Sequence, residues 1–185
     1  MIDSPHWGSR SDQELVDATK RGESLAFEAL YYRYRDWVAR LAYRYTADRD
    51  DALDVLQETF VYLLRRCPNL RLSARMTTFL YPVVKHLALE VRRKRRRIQS
   101  DRNSTADLAA PSPLPQSASR SELAEVMAAL PDEQREAVLM RFVDGLTLAE
   151  IAQALAVPLG TVKSRLHRAL DSLKADPRTR RYFGI

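Results

Sequence analysis

Residues 147–170 read TLAEIAQALAVPLGTVKSRLHRAL, and the local signals in this stretch decide the fold. Thr147 to Glu150 form a capping box, in which the threonine hydroxyl and the glutamate three residues on satisfy each other's free backbone amides, so a helix opens here. The segment AVPL, Ala156 to Leu159, interrupts that helix early. From Gly160 onward, Val162, Leu166, Ala169, Leu170 and Leu173 share one arc of a 3.6-residue wheel, and Lys163, Ser164, His167 and Arg168 share the opposite one. Alone, this second helix reads equally well as a solvated amphipathic helix. Preceded by a short helix and a link of about four residues, it reads as the second half of a helix-turn-helix. Ile151, Leu155, Val157, Val162 and Leu166 supply the small shared core, and Ala152 is small where the two helices approach.

That unit points to duplex DNA. Lys163 and Arg168 suit guanine edges or phosphates, Ser164 can bond either, and His167 can stack or donate. Arg165 lies to one side of the face and suits a phosphate. Upstream, LPDEQREAVLMRFVDG, residues 130–145, places Pro131 at a helix start, acids in the first turn and Gly145 at the end. A further helix is expected near 121–130.

Between 99 and 120 the chain reads QSDRNSTADLAAPSPLPQSASR, with three prolines and no aromatic residue. Such a segment cannot bury enough apolar surface to offset the cost of ordering, so a flexible linker is expected. Before it, SDQE at residues 11–14 is a second capping box, opening a short helix that Gly22 can end. A long helix follows, with Phe27, Leu30, Tyr34, Trp37, Val38, Leu41 and Tyr45 at helical spacing. A third spans about 50–66, with Leu53, Leu56, Phe60, Leu63 and Leu64 expected as its buried stripe. A fourth pattern covers about 73–97 and contains Pro82, which predicts a kink or a late helix start. It ends in RRKRRR, Arg92 to Arg97.

The fold class is therefore all-α, with two small helical domains joined by a linker. The expected boundaries are a tail at 1–11, a first domain at 12–98, the linker at 99–120, a second domain at 121–176 and a tail at 177–185.

Charge is segregated along this plan. Net charge is 0 over 1–84, +6 over 85–102, −5 over 103–159 and +5 over 160–185. Two basic patches in an otherwise neutral or acidic chain fit a polyanion partner better than an anionic membrane surface. No apolar run approaches the roughly 20 residues needed to span a bilayer, and the first residues lack the apolar core of a signal peptide. A cytoplasmic protein without membrane insertion is expected. One cysteine, Cys67, and three scattered histidines, His6, His86 and His167, offer no spacing for a structural zinc site. No metal, cofactor or catalytic site is expected.

The stretch 130–174 resembles region four, the promoter-reading domain of bacterial sigma factors, and DALDVLQETFVYLL, residues 51–64, resembles the polymerase-binding part of region two. With only these two domains and a linker, the chain is similar to the extracytoplasmic-function (ECF) group over about residues 12–175. The resemblance implies an alternative sigma factor, a non-enzymatic protein that binds core RNA polymerase and directs promoter recognition, DNA opening and transcription initiation. It implies that Asp51, Asp54, Gln57 and Glu58 dock on the clamp helices of the largest polymerase subunit, with the flap a further polymerase contact. Asp54 and Glu58 are four apart with Asp51 one turn earlier, so one acidic stripe can meet a basic surface. Acids favoured by the helix dipole are the bland account of the same residues, and a two-metal nuclease lacks the histidine, lysine or phosphate loop it would need.

For the −10 element the resemblance implies Asn69 and Arg71 as base readers in the loop PNLRLSAR, residues 68–75, and Lys85, His86, Arg92 and Arg93 as the cationic track for melted DNA. Phe79 and Tyr81 are either base platforms or core. For the −35 element it implies Lys163, Ser164, Arg165, His167 and Arg168. The linker would run through the polymerase channel toward the active site, and an anti-sigma factor is a candidate partner. The chain departs from the family pattern at Pro82, His86 and Glu90. At Ala156 it lacks the usual turn glycine, which costs about 1 kcal/mol if that residue is left-handed. The rival reading is a stand-alone helix-turn-helix repressor or activator.

Overall fold

A computed structural model of the 185-residue chain describes residues 5–102 and 118–179. The chain divides into two compact units, Met1–Leu108 and Ala109–Ile185. Among the described residues every regular element is helical. Residues 1–4, most of the expected linker (103–117) and the last six residues lie outside the described set.

The first unit contains the single turn α1 (Pro5–Gly8), then α2 (Asp12–Lys20), α3 (Ser24–Thr46), α4 (Arg49–Arg66), a 3-10 turn at Cys67–Asn69 and α5 (Met76–Arg102). The capping box at Ser11 and Glu14 is formed in both directions. Gly22 takes a positive φ of 85° between α2 and α3. The last turn of α3 is closed by the Ala47 amide, which donates to the Tyr43 carbonyl at 2.8 Å, and the left-handed backbone of Ala47 then turns the chain out of the helix. Asp48 then caps α4, its carboxylate accepting the amides of Asp50 and Asp51 at 3.0 and 3.1 Å. Helices α3, α4 and α5 pack on one another and α2 lies on α3. Leu30, Val38, Leu41, Val55, Leu63, Met76, Leu80 and Val84 are fully buried between them. Each such aliphatic side chain contributes about 1.5–3 kcal/mol on burial.

Two expectations change here. α5 begins at Met76 rather than near Ser73 and runs through Pro82 without a break. Pro82 is exposed, so its ring faces away from the packed side of the helix and displaces no core side chain. α5 also continues to Arg102 and the next helix begins at Ala118, so helix occupies both ends of the segment expected to be linker.

The second unit contains α6 (Ala118–Ala129), α7 (Asp132–Phe142), α8 (Leu148–Leu155) and α9 (Leu159–Ala175). Pro131 precedes α7 at its N-cap, and Gly145, with φ 69°, turns the chain out of that helix. Ala137, Met140, Leu146, Ile151, Val162 and Ala169 are fully buried and knit α7, α8 and α9 together. Residues 177–179, expected as the start of a tail, are helical again. Thr179 is buried, and Arg178 pairs with Glu125 of α6 at 3.3 Å.

Candidate nucleic-acid interface

The helix-turn-helix is built as its sequence pattern requires. Thr147 caps α8, and Glu150 closes the box by accepting the Thr147 amide at 2.8 Å. Ala156 ends the helix in a left-handed conformation, φ 53° and ψ 44°. The turn then delivers Val157, whose amide donates to the Ala152 carbonyl at 3.0 Å. α9 starts beyond Pro158, and Val162, Leu166 and Ala169 bury its inner face.

Its outer face presents Lys163, Ser164, His167 and Arg168, all exposed. Ser164 Oγ donates to the Thr161 carbonyl at 3.0 Å, and His167 Nε2 lies 3.3 Å from Asp171 one turn on. Arg165 differs. Its side chain is only 18% exposed and its guanidinium pairs with Glu133 of α7 at 2.6 Å. The sequence pattern set Arg165 to one side of the other four residues, and the structure presents those four together while tying Arg165 to a neighbouring helix.

In the first unit, the loop after α4 alternates. Asn69 and Arg71 are exposed while Leu70, between them, is buried. The Leu72 amide donates to Gln13 Oε1 of α2 at 2.9 Å. Along α5, Lys85 is half-buried, and His86 is exposed and sits 3.4 Å from Glu90. Arg92 is exposed, its Nη1 at 3.5 Å from the Tyr45 carbonyl, and Arg93 is exposed. The aromatic residues resolve differently from one another. Tyr81 is fully buried with its hydroxyl 2.8 Å from that of Tyr45, so it is core. Phe79 is half-buried and stacks on Tyr62, ring centroids 6.3 Å apart.

Helix α4 carries the largest surprise. Asp54, Gln57 and Glu58 are exposed as expected. Asp51 is not part of a free stripe: Arg95 of α5 donates to it at 2.9 Å and to Asp48 at 2.6 Å. The Arg95 hydrogen bond, reinforced by the Asp51 amide, holds the Asp48 carboxyl below the usual carboxylate range, and the two carboxylates push Arg95 further up. Leu53 and Leu64, expected in the core, are 52% and 49% exposed, and Val61 is exposed as well. The buried arc is Ala52, Val55, Leu56, Thr59, Phe60 and Leu63. On a helical wheel, Leu53, Leu64, Gln57, Val61, Asp54 and Glu58 follow one another across roughly 140° of surface. One side of that face is apolar and the other acidic. Counting Ala52 and Thr59 as interior positions would have centred the wheel correctly, but small and polar residues carry little weight in an apolar count.

Taken together, fold and surfaces define a two-unit, helix-turn-helix DNA-binding protein whose other unit presents a helix with an exposed acidic and apolar face. Family comparison sharpens that class. Sigma-70 region 2 matches residues 30–98, and Sigma-70, region 4, matches residues 120–173. The ECF RNA polymerase sigma-E factor of Salmonella typhimurium is 31% identical over 187 residues, covering 92% of this chain and 97% of that protein. The ECF RNA polymerase sigma factor SigW of Bacillus subtilis is 26% identical over 176 residues, covering 88% and 94%. Among solved structures, the sigma factor RpoE of Bartonella quintana, solved with the anti-sigma factor NepR, superposes with a TM-score of 0.60 at 20% identity, covering 86% of this chain and 97% of that one. The chain belongs to the ECF sigma factors of bacterial RNA polymerase. It is an alternative sigma factor that directs promoter-specific transcription initiation. Among the described residues no helix is long and apolar enough to cross a membrane.

Proposed function

We propose that this sigma factor divides its work among three surfaces. The exposed face of α4 docks on the clamp helices of core polymerase, with Asp54, Gln57 and Glu58 meeting basic side chains and Leu53, Val61 and Leu64 supplying apolar contact. Asp51 contributes less directly, because Arg95 already engages its carboxylate. Lys163, Ser164, His167 and Arg168 read the −35 element, while Arg165 reaches DNA only by giving up Glu133. Asn69 and Arg71 read extruded bases of the −10 element, and Lys85, His86, Arg92 and Arg93 follow the melted strand.

The observation that carries this reading is the combination of a cationic recognition helix in one unit with an exposed acidic and apolar helix face in the other. A repressor has no use for the second. The protein performs no catalysis of its own, acts in the cytoplasm and passes its linker through the polymerase channel toward the active site. An anti-sigma factor controls it by covering these same surfaces. A gel shift on duplex promoter DNA with and without core polymerase tests the reading. Specific binding that requires core polymerase supports it, and tight specific binding by the free protein as a symmetric dimer overturns it in favour of the repressor.

A further inference from the structure

Asn69 closes the 3-10 turn, and Arg71 lies in the segment between that turn and α5, which has no helix or strand of its own. A loop of that kind reads bases with fidelity only if something outside it fixes its backbone, since unrestrained side chains lose ordering entropy on binding. Two anchors are present. Leu70 is buried, and two residues later the Leu72 amide donates to Gln13 Oε1 at 2.9 Å. Leu70 is extended, with φ −78° and ψ 124°, and in extended backbone successive side chains point to opposite sides. The buried Leu70 side chain and the held Leu72 amide bracket Arg71, so the backbone on both sides of that exposed residue is fixed, and Asn69 is exposed on the other side of Leu70.

Gln13 is itself held. Its Nε2 donates to Asp17 Oδ1 at 3.0 Å, and Lys20 Nζ donates to the same oxygen at 2.8 Å. These two donors hold the Asp17 carboxyl below its ordinary range, Lys20 first. The chain Lys20, Asp17, Gln13, Leu72 thus runs from the outer end of α2 into the loop. It also orients the Gln13 amide: with the NH2 group committed to a carboxylate, the carbonyl oxygen must face the Leu72 N–H.

We propose that Gln13, a residue of α2 outside every surface assigned above, is a positioning residue for −10 recognition that acts by fixing the register of the Asn69–Arg71 loop. This rests on the reading of that loop as the −10 reader. It assigns Gln13 no contact with DNA.

The test uses the full-length protein with core polymerase and a pool of duplex templates randomised over the −10 and −35 windows, with transcripts sequenced. Gln13→Leu keeps the approximate size of the side chain and removes the acceptor. The expected result is a roughly fivefold loss of discrimination across the −10 window. Discrimination at −35 and affinity for core polymerase stay unchanged, and the Leu72 amide exchanges faster by on the order of tenfold. The double substitution Gln13→Glu with Asp17→Asn reverses the polarity of the chain at constant charge: the new carboxylate accepts from Leu72 and from the asparagine NH2. It restores both the slow exchange and the discrimination.

Equal loss on all templates with a lowered melting temperature marks a merely structural role and overturns the inference. So does unchanged Leu72 exchange in Gln13→Leu, or a reversed pair that stays as permissive as Gln13→Leu. Asn69→Ala separates the two levels. If it relaxes −10 discrimination and Gln13→Leu does not, the inference alone falls; if neither does, the reading of the loop falls with it.

Discussion

Replacing Ala156 by glycine should stabilise the DNA-reading unit, and the structure fixes both the sign and the size. Ala156 sits at φ 53° and ψ 44° between the two helices of the helix-turn-helix, a conformation that costs an L-residue with a Cβ about 1–2 kcal/mol. Its side chain is exposed, so glycine forfeits no packing. Against the gain stands the greater freedom of glycine in the unfolded chain, about 0.4–1 kcal/mol. Taking the middle of each range, the net expectation is roughly 0.8 kcal/mol of added stability. For a unit of this size that is about 3–6 °C in melting temperature. Ala149, exposed within the first turn of α8, provides the matched control, because the same chemical change in helical backbone costs up to about 1 kcal/mol. Amide exchange read at Ile151 and Val157 reports the second unit separately from the first. Slower exchange in Ala156→Gly and faster exchange in Ala149→Gly is the expected pair. Ala156→Gly that destabilises the unit, or that matches Ala149→Gly, would refute the strain at this turn.

The remaining expectations separate the surfaces. Arg168→Ala should lower promoter-specific transcription by an amount matching the loss of about 1–3 kcal/mol for one base contact, while affinity for core polymerase, measured by pull-down, stays the same. Asp54→Lys with Glu58→Lys should abolish co-purification with core polymerase by setting like charges against a basic surface, yet leave the circular dichroism spectrum intact because both residues are exposed. The Asp48 carboxyl has a depressed value in the folded state, so its stabilising contribution is full above the unfolded value of about 3.9 and is lost as pH falls through the lower folded value. Melting temperatures of wild type and Asp48→Asn should therefore differ most at neutral pH and converge as the solution is acidified below that range.

How much of this was legible in the sequence varies with the kind of signal. Caps and turns were read correctly because their chemistry is local. Both capping boxes, the positive-φ glycines at 22 and 145 and the strained turn at Ala156 involve residues within a few positions of each other. Helix ends were less legible. The start of α5 moved to Met76, and its far end entered the expected linker; a basic, soluble sequence permits helix and coil alike, so composition does not decide where one gives way to the other. Pro82 predicts a kink or a late helix start because proline forfeits a hydrogen bond, and the helix continues through it. Whether its ring can be accommodated depends on which side of the helix faces water, and this is a property of the tertiary structure.

The functional surfaces show the same division more sharply. Seen along the chain, Arg93, Arg95, Arg165 and Arg168 are equivalent cations in basic stretches, each as suitable for a phosphate as the next. In the fold, Arg95 spans Asp48 and Asp51 and Arg165 is held by Glu133, while Arg93 and Arg168 are exposed. The partners that distinguish them lie 44 residues away for Arg95 and Asp51, on other helices, so no windowed pattern contains them. The consequence is physical. An arginine already bonded to a carboxylate can reach DNA only by giving up an ion pair, whereas an unpaired one gives up only water. Leu53 and Leu64 present the converse case, apolar residues that a periodic count assigns to the core but that face solvent beside an acidic edge. An apolar face left open on a helix that is otherwise well packed costs solubility without adding to the core. Its adjacency to the exposed Asp54 and Glu58 is what supports the proposal that α4 docks on core polymerase, with contact area from the leucines and register from the acids.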